Sequence, residues 1–410
     1  MPKTLLRDLS ASQIVGAIAD AAERWSNADF PPRVRASAAI EARLGYATPV
    51  VEYALDRLFF SLRRELLEAA IVDELGSLEA LDGPTQRLRR PAAFARGVDR
   101  VMIVSSDTTI GVALVPALYA LCAKSNVIVK DRSDELVRAF FETLIEERPE
   151  FAAAAQARAW TGGADADESR LLGDANAVVV FGSDETIARI RMLLRPDARF
   201  VPFGHRISIG YVSPDLLAQT SDDDVCEGIA RDFLLYDGEG CLSLHALFVS
   251  GVPAQAYAFA DRLARASERI AVEFPASRID ATRAAAFSSY RNLSAFRAAG
   301  GRGTVFSVAE GTATIAFDPP RDQPPPLLPR VLPVYPVHGI DDVATFVREH
   351  RLPVQALGLA DTGVPAALAL AQTIGAVRIT RLGEMQAPPL GGHHGGAPRI
   401  ADFVRWIDRE

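Results

Sequence analysis

Apolar residues recur at three- and four-residue steps along the first part of the chain. This spacing places apolar side chains on one face of a helix. It predicts helices at Ser10–Trp25, Pro32–Leu44 and Thr48–Leu75. The following stretch, Leu81–Gly97, contains two prolines and four arginines and predicts an exposed linker that ends a helical N-terminal segment of residues 1–95.

From residue 96 onward the pattern changes to short apolar runs that alternate with helical runs. The predicted strands are Val101–Ser105, Asn126–Lys130, Asn176–Phe181, Ile207–Val212, His245–Val249, Thr312–Phe317, Arg330–Val337, Val354–Leu359 and Val377–Thr380. The helices predicted among the first of them are Gly111–Ala123, Asp134–Glu147, Glu185–Leu194 and Pro214–Leu235. Uninterrupted apolar strands with helices between them indicate parallel sheets covered on both faces. The fold class is therefore α/β, with doubly wound, nucleotide-binding architecture.

The same pattern suggests a domain organisation. Residues 96–229 are predicted to form a nicotinamide-cofactor-binding domain and residues 230–385 a catalytic domain that carries a reactive thiol. Residues 386–410 are predicted to form a C-terminal loop and helix that return to the cofactor domain.

Composition limits the function classes. The formal net charge of −8 argues against a nucleic-acid partner, because phosphate binding needs an excess of Lys and Arg. The arginines at 87, 89, 90 and 96 are interpreted as a solvated linker, with a docking patch for an acidic partner or a CoA phosphate as the alternative. With no signal peptide and no membrane-spanning run of about 18 apolar residues, we expect a cytoplasmic protein.

Three segments carry candidate chemistry. Cys241 lies in a Gly-rich loop directly after Gly238 and Gly240, where a covalent nucleophile would have backbone freedom and access. Cys122 and Cys226 lie on predicted helices. A Gly182-Ser183 turn at the end of a strand would let a pyrophosphate approach a helix N-terminus. Lys130 ends another strand and could bond ribose hydroxyls. Each of the three also has an ordinary structural interpretation.

The order and separation of these segments resemble the aldehyde dehydrogenase superfamily and, within it, the luminescence-type (LuxC-like) fatty acyl reductases. The matching elements cover residues 95 to 410 and are Val101–Lys130, Ala177–Ser183, Pro202–Ser208, Asp232–Ser243, Arg378–Met385 and Gly396–Glu410. The resemblance implies an aldehyde-dehydrogenase-like fold with two doubly wound domains. It also implies an NAD(P)H-dependent reductase that converts an acyl-CoA or acyl-carrier thioester to an aldehyde.

The resemblance assigns roles to these residues. Cys241 would attack the thioester carbonyl, and its backbone N–H would stabilise the oxyanion. Lys130 would contact the adenosine ribose, while Gly182, Ser183 and Gly204 would line the cofactor site.

Two departures from the superfamily pattern bear on the reaction. Members that hydrolyse their acyl-enzyme carry a Glu where this chain has Pro202, which favours reduction over acid formation. Glu239 or His205 would have to activate water instead. Where the family has an oxyanion-hole Asn, this chain has Asp107, so Thr108 or Thr109 substitutes, Asp107 is held protonated, or activity is low.

Cofactor choice rests on the residues after Lys130. Ser133 stands where NAD-preferring relatives often carry a Glu, and Arg132 beside it suits a 2′-phosphate. We therefore expect NADPH in preference to NADH. We also expect a homo-oligomer that receives acyl groups from an acyl-activating or acyl-transferring protein.

Other functions remain open at this stage. Cys241 could serve a thiol acyltransferase or acyl carrier without redox chemistry, and the chain could be an acid-forming dehydrogenase or a noncatalytic partner subunit. Adjacent His393 and His394 lack the spacing of a metal-ligand set, so no metal is expected and a mobile loop near the cofactor is predicted there.

Overall fold

A computed structural model describes residues 5–87, 90–106, 109–131, 135–160, 166–218, 223–319, 323–360 and 365–410. The helices are α1 (Ala11–Ser26), α2 (Pro31–Leu44), α3 (Thr48–Ser61), α4 (Arg64–Leu75), α5 (Leu114–Cys122), α6 (Leu136–Glu147), α7 (Ala166–Asp174), α8 (Asp184–Arg191), α9 (Pro214–Ala218), α10 (Asp223–Leu234), α11 (Pro253–Glu273), α12 (Ala281–Ala299), α13 (Ile340–Glu349) and α14 (Pro365–Ile374). The strands are β1 (Thr85–Arg87), β2 (Arg90–Gly97), β3 (Arg100–Val104), β4 (Asn126–Lys130), β5 (Ala155–Arg158), β6 (Ala177–Phe181), β7 (Arg199–Phe203), β8 (Ile207–Val212), β9 (Leu244–Ser250), β10 (Thr304–Val308), β11 (Ala313–Phe317), β12 (Val331–Val337), β13 (Val354–Leu359), β14 (Arg378–Arg381) and β15 (Val404–Arg409).

The chain divides into two compact units. The first unit comprises Met1–Leu44, Val51–Gly204 and Pro389–Glu410, and the second comprises Gly45–Val50 and His205–Pro388. The division after Gly204 falls well before the boundary predicted at residues 229 and 230. It does so because β8 pairs in parallel with both β9 and β13, and therefore belongs to the second sheet.

The first unit contains a five-stranded parallel sheet in the order β5-β4-β3-β6-β7. Every residue of β6 is buried, as expected for a strand with a helix layer on each face. The chain proceeds outward from β3 through β4 and β5, then returns to β6 beside β3 and continues to β7. This is the predicted doubly wound topology, and its switch point lies between β3 and β6.

The N-terminal helices are part of the first unit. The Trp25 ring on α1 packs against Phe59 and Phe140, and its indole Nε1 donates to Thr143 Oγ1 at 3.0 Å. The single helix predicted at Thr48–Leu75 is two helices, α3 and α4, because the backbone at Arg63 is extended.

Two predictions about the segments around β2 and β15 were wrong. The segment predicted as a linker contains β1 and β2, and the C-terminus predicted as a helix contains β15, so that the three strands form an antiparallel sheet in the order β1-β2-β15. The burial of Ala93 and Ala95 shows the two-residue period of a strand. The arginines and prolines of this stretch concealed that period.

The second unit contains a seven-stranded sheet in the order β10-β11-β12-β9-β8-β13-β14. Only the β10–β11 pair within it is antiparallel. A core that includes Ile209, Phe248 and Leu357 packs its strands against α13 and α14. In place of the single helix predicted at Pro214–Leu235, the described residues form α9 and α10.

A close backbone contact in the first unit leads to a test of the fold. A Cβ built at Gly97, the last residue of β2, would lie 1.6 Å from the carbonyl oxygen of Ala123, so Gly97→Ala must displace backbone. We expect it to lower the free energy of unfolding by about 1–3 kcal/mol or more. Gly83→Ala is the control, because nothing lies within 4 Å of its Cβ position. Chemical denaturation of the two variants would measure this, and equal stabilities would contradict the contact.

Candidate active site

Cys241 is the exposed thiol of the chain. It lies in the loop between α10 and β9, whereas Cys122 and Cys226 are buried. Ser208 on β8 fixes one side of this loop, since its hydroxyl donates to the carbonyl oxygen of Cys241 at 2.8 Å. Among the three cysteines, Cys241 is therefore the one that an incoming acyl group can reach.

Two opposing effects act on the Cys241 thiol. Although the residue is exposed, the protein packed around it disfavours the thiolate and raises the pKa of the thiol. The backbone N–H groups of Cys241 and Leu242, and the positive charges of Arg206 and Arg378, act in the opposite direction and lower this pKa. Desolvation is the larger effect, so the free protein holds a protonated thiol near neutral pH.

His245 is a structural histidine beside the thiol loop. Its Nδ1 accepts from the backbone N–H of Ser208 at 3.1 Å, and burial lowers its pKa to about 4. The ring is therefore neutral and its acceptor nitrogen is occupied. His205, a predicted candidate for water activation, is an exposed residue just before β8.

A buried carboxylate holds the other side of the thiol loop. Asp232 near the end of α10 accepts from the backbone N–H of Gly383, and from that of Met385 at 3.0 Å. The side-chain amide of Gln386 then donates to Ser243 Oγ, two residues after Cys241. Sequence reasoning placed Asp232 and Ser243 at the ends of the thiol segment but missed this connection, because it joins residues about 150 positions apart.

The three residues Tyr236, Asp237 and Gly238 form a left-handed turn just before the thiol, with φ of 55°, 53° and 72°. A left-handed conformation costs a non-glycine residue about 1–2 kcal/mol, so such a turn must be held by other contacts. The next residue, Glu239, forms an ion pair with Arg283. Burial raises the pKa of Glu239, and the ion pair lowers it. As a base for water, Glu239 would first have to leave Arg283.

In the first unit, Gly182 and Ser183 follow β6 at the switch point of the parallel sheet, where open α/β folds bind ligands. Ser183 is exposed and caps α8, because its Oγ accepts from the backbone N–H of Thr186 at 3.2 Å. Asp184 and Glu185 occupy the first helical turn. Their negative charges would compete with a pyrophosphate at this helix N-terminus.

Gly204 follows β7 and lies against α8. A Cβ at this position would come 2.6 Å from Asp184 Oδ1, so the glycine allows the Asp184 side chain to approach the backbone. This contact accounts for the glycine without a ligand, and contact of Gly204 with a cofactor stays a prediction.

Lys130, at the end of β4, is buried rather than open to solvent. Its Nζ donates to Glu168 on α7 at 2.8 Å and lies 5.1 Å from the centroid of the Trp160 ring. A ribose contact therefore stays a prediction and would have to be made beside this ion pair.

Four candidates lie outside the described residues: Asp107, Thr108, Arg132 and Ser133. Their roles at the oxyanion and at the 2′-phosphate stay predictions.

Comparison with known proteins identifies the family of this chain. The profile of the family described as acyl-CoA reductase (LuxC) matches residues 6–406. The chain belongs to this family. No curated protein sequence matches it. The family and the fold make the protein an oxidoreductase that acts on acyl groups or aldehydes.

Solved structures share the aldehyde dehydrogenase fold. One is a gamma-glutamyl-gamma-aminobutyraldehyde dehydrogenase from Burkholderia cenocepacia J2315, with 15% identity, a TM-score of 0.70, and coverage of 98% of this chain and 84% of that one. An NAD-dependent benzaldehyde dehydrogenase from Corynebacterium glutamicum has 12% identity, a TM-score of 0.69, and coverage of 98% and 87%. A 1-pyrroline-5-carboxylate dehydrogenase from Thermus with bound NAD has 15% identity, a TM-score of 0.64, and coverage of 98% and 82%.

The first unit has the features that a dinucleotide needs. Its parallel sheet has a switch point, and a Gly-Ser turn follows β6 at that point. A Cβ at Gly182 would lie 3.3 Å from the Thr186 side chain, so a larger residue there would require this side chain to shift slightly. A nicotinamide cofactor would lie at this switch point beside Gly182 and Ser183, with Asp184 and Glu185 making the helix N-terminus acidic.

The His393-His394 segment, predicted as a mobile loop, is tied to the first unit. The His394 ring stacks on Phe203 with 4.2 Å between centroids, and burial lowers its pKa to about 4. Arg399 Nε donates to the carbonyl oxygen of Gly392 at 2.8 Å, and Tyr119 donates to that of Leu390 at 2.9 Å. The segment is therefore well packed, because the His394 ring and the carbonyl oxygens of Leu390 and Gly392 all have partners.

Within the described ranges, no cluster of three or more His, Cys, Asp and Glu side chains could hold a metal ion. No helix in those ranges is long and apolar enough to cross a membrane.

The anchoring role of Asp232 leads to a prediction with a defined pH dependence. In Asp232→Asn the amide NH₂ would face a backbone N–H donor, whereas a neutral carboxyl keeps an acceptor on both oxygens. Burial raises the pKa of Asp232 from 3.8 to about 7, so the stability it contributes is fully present below pH 3.8 and is lost as the pH rises through 7. We expect the variant to be less stable than the wild type by about 1–3 kcal/mol at pH 5 and by less at pH 8.

The measurement is urea denaturation at both pH values. Glu227→Gln is the control, since Glu227 lies on the same helix in an exposed ion pair with Arg269. We expect it to change the free energy of unfolding by less than about 1 kcal/mol. A deficit of Asp232→Asn that grows toward pH 8 would contradict the raised pKa.

Proposed function

We propose that the protein reduces an acyl thioester to an aldehyde through an acyl-enzyme on Cys241, with NADPH as the hydride donor. The observation that carries this proposal is the exposed Cys241 thiol, held by Ser208 in a loop next to basic side chains. Membership of the acyl-CoA reductase family supports the reaction class.

The first chemical step is acyl transfer to the protein. The Cys241 sulfur loses its proton to solvent and attacks the thioester carbonyl carbon, and the bond from that carbon to the carrier sulfur breaks. The carrier leaves as a thiolate, which takes up a proton. Arg206 and Arg378 favour the Cys241 thiolate that this step requires.

The second step releases the product. Bound NADPH would supply a hydride to the acyl carbon. The bond from that carbon to the Cys241 sulfur then breaks, and the sulfur leaves as a thiolate that is ready for the next acyl group. Backbone N–H groups of the thiol loop would stabilise the negative charge on oxygen, a contribution often worth about 3 kcal/mol per donor.

Pro202 supports reduction rather than hydrolysis. The resemblance to aldehyde dehydrogenases places it where hydrolytic members carry a Glu, and a proline has no group that removes a proton from water. An acyl group on Cys241 is then expected to wait for hydride or for another thiol. The acyl donor we propose is a CoA or carrier-protein thioester, received by a homo-oligomer from an acyl-activating or acyl-transferring partner.

The central experiment follows NADPH and NADH absorbance with acyl-CoA thioesters of increasing chain length. We expect aldehyde to form with the wild type, and Cys241→Ala to lose reduction by at least about a thousandfold because a covalent step disappears. Cys226→Ala, which removes a buried thiol, is the control and should keep most activity. Acyl transfer without oxidation of either cofactor would favour the thiol acyltransferase. Mass-spectrometric location of the acyl group on Cys122 or Cys226 would refute the assignment of Cys241.

A second prediction concerns the cofactor. With Ser133 in place of a carboxylate and Arg132 beside it, kcat/KM should be higher for NADPH than for NADH. Arg132→Ala should lower the preference by about tenfold, the equivalent of about 1.4 kcal/mol. The ratio of kcat/KM values measures this, with Arg138→Ala, which removes an exposed arginine of α6, as the control. A strong NADH preference that Arg132→Ala leaves unchanged would exclude this role.

A further inference from the structure

The left-handed turn before the thiol is unusual because it contains three consecutive residues. Tyr236 has φ 55° and ψ 28°, Asp237 has φ 53° and ψ 24°, and Gly238 has φ 72°. Side-chain-bearing residues adopt this conformation singly rather than in runs. Strained backbone persists where surrounding contacts determine it, and it is concentrated at functional sites.

A buried ion pair holds the turn. Arg330, just before β12, donates from Nη1 to Asp237 Oδ1 at 3.2 Å, and both side chains are almost wholly buried. The backbone N–H of Arg330 also donates to the Asp237 carbonyl oxygen at 2.7 Å. Ser277 donates its hydroxyl to the second carboxylate oxygen. Asp237 is therefore fixed at both its side chain and its backbone.

Two further contacts limit the turn. The Tyr236 ring meets the ring of Tyr46 edge to face, with centroids 5.9 Å apart. A Cβ at Gly238 would lie 3.0 Å from the carbonyl oxygen of Phe233, so this position needs glycine for both its space and its φ. The chain direction at Gly238 is thus set three residues before Cys241.

The turn and Ser208 together restrain the thiol from both sides. Asp237 fixes the chain before Cys241, and Ser208 binds the carbonyl oxygen of Cys241 itself. The N–H groups of Cys241 and Leu242 then lie within reach of the sulfur, where they favour the thiolate. No contact in the described part of the chain joins Asp237 or Arg330 to the sulfur directly.

We propose that Asp237 and Arg330 are positioning residues, which hold the left-handed turn so that Cys241 presents its sulfur and backbone N–H for acyl transfer. This inference rests on the proposed function of Cys241 as the nucleophile. A buried ion pair would thereby influence the rate of the chemical step through the backbone that it holds.

The test compares variants of the full-length protein in a reaction that needs no acyl substrate. The rate of Cys241 alkylation by iodoacetamide is followed by mass spectrometry from pH 6 to 10, with NADPH binding measured by fluorescence. We expect Asp237→Ala to slow alkylation at neutral pH and to move its pH midpoint upward. With an active substrate, kcat should fall by about tenfold or more while KM for the thioester stays within about threefold.

Two variants keep the test informative if a single substitution prevents folding. Asp237→Asn retains a residue that tolerates the left-handed region, and it should recover part of the rate. The double variant Asp237→Asn with Arg330→Met removes both buried charges and avoids leaving one unpaired. It should fold, with alkylation still slow.

Arg297→Met is the matched control, because it breaks another Arg–Asp pair of the second unit, with Asp318 at 2.7 Å. It should lower stability while leaving alkylation and kcat unchanged. The positioning role would be overturned if Asp237→Ala and the double variant both kept the wild-type alkylation rate and kcat. Their only defect would then be a loss of stability like that of Arg297→Met. Failure of the proposed function is separate, since it would appear as wild-type acyl transfer by Cys241→Ala.

Discussion

A buried carboxylate with backbone ligands supports the arrangement of the second unit. Placing the Asp232 charge in the interior would cost several kcal/mol without partners. Backbone N–H groups of Gly383, Met385 and Gln386 offset part of that cost, together with the positive charge of Arg378, while burial still raises the pKa of Asp232 to about 7. Because these donors come from the segment after β14, the end of α10 and that segment cannot move independently. The thiol loop begins directly after α10, so its starting point is fixed by the same carboxylate.

From that starting point, a series of polar contacts holds the loop in place. The side-chain amide of Gln386 donates to Ser243 Oγ next to the Asp232 site. Ser208 on β8 forms hydrogen bonds with both Cys241 and His245. His245 can accept the Ser208 N–H only while its ring is neutral. Burial keeps the ring neutral because it lowers the pKa of His245 to about 4. A loop held by hydrogen bonds to fixed strands can keep Cys241 exposed and still have a defined geometry.

The sequence allowed much of the fold to be predicted, and the reasons for the failures are physical. Buried parallel strands such as β6 are runs of apolar residues, so their positions were confirmed closely. β2 and β15 were missed because Arg90, Pro91 and Arg96 obscure an alternating pattern, and because strand pairing between β2 and β15 joins distant parts of the chain. The thiol could be singled out from its flanking glycines. Its supports could not, because Asp232 and Arg330 are ordinary polar residues until the fold brings their partners to them.

The balance of charges around Cys241 bears on when the thiol becomes reactive. Desolvation keeps the proton on the sulfur in the free protein, while Arg206, Arg378 and two backbone N–H groups make its loss easier. The nearby imidazole of His245 cannot accept that proton, since its Nδ1 already accepts the Ser208 N–H. A thiol that stays protonated resists unproductive reactions with dissolved electrophiles, because the thiolate is the nucleophilic form. The proposed acyl-enzyme would share this property at position 202, because a proline side chain has no group that activates water.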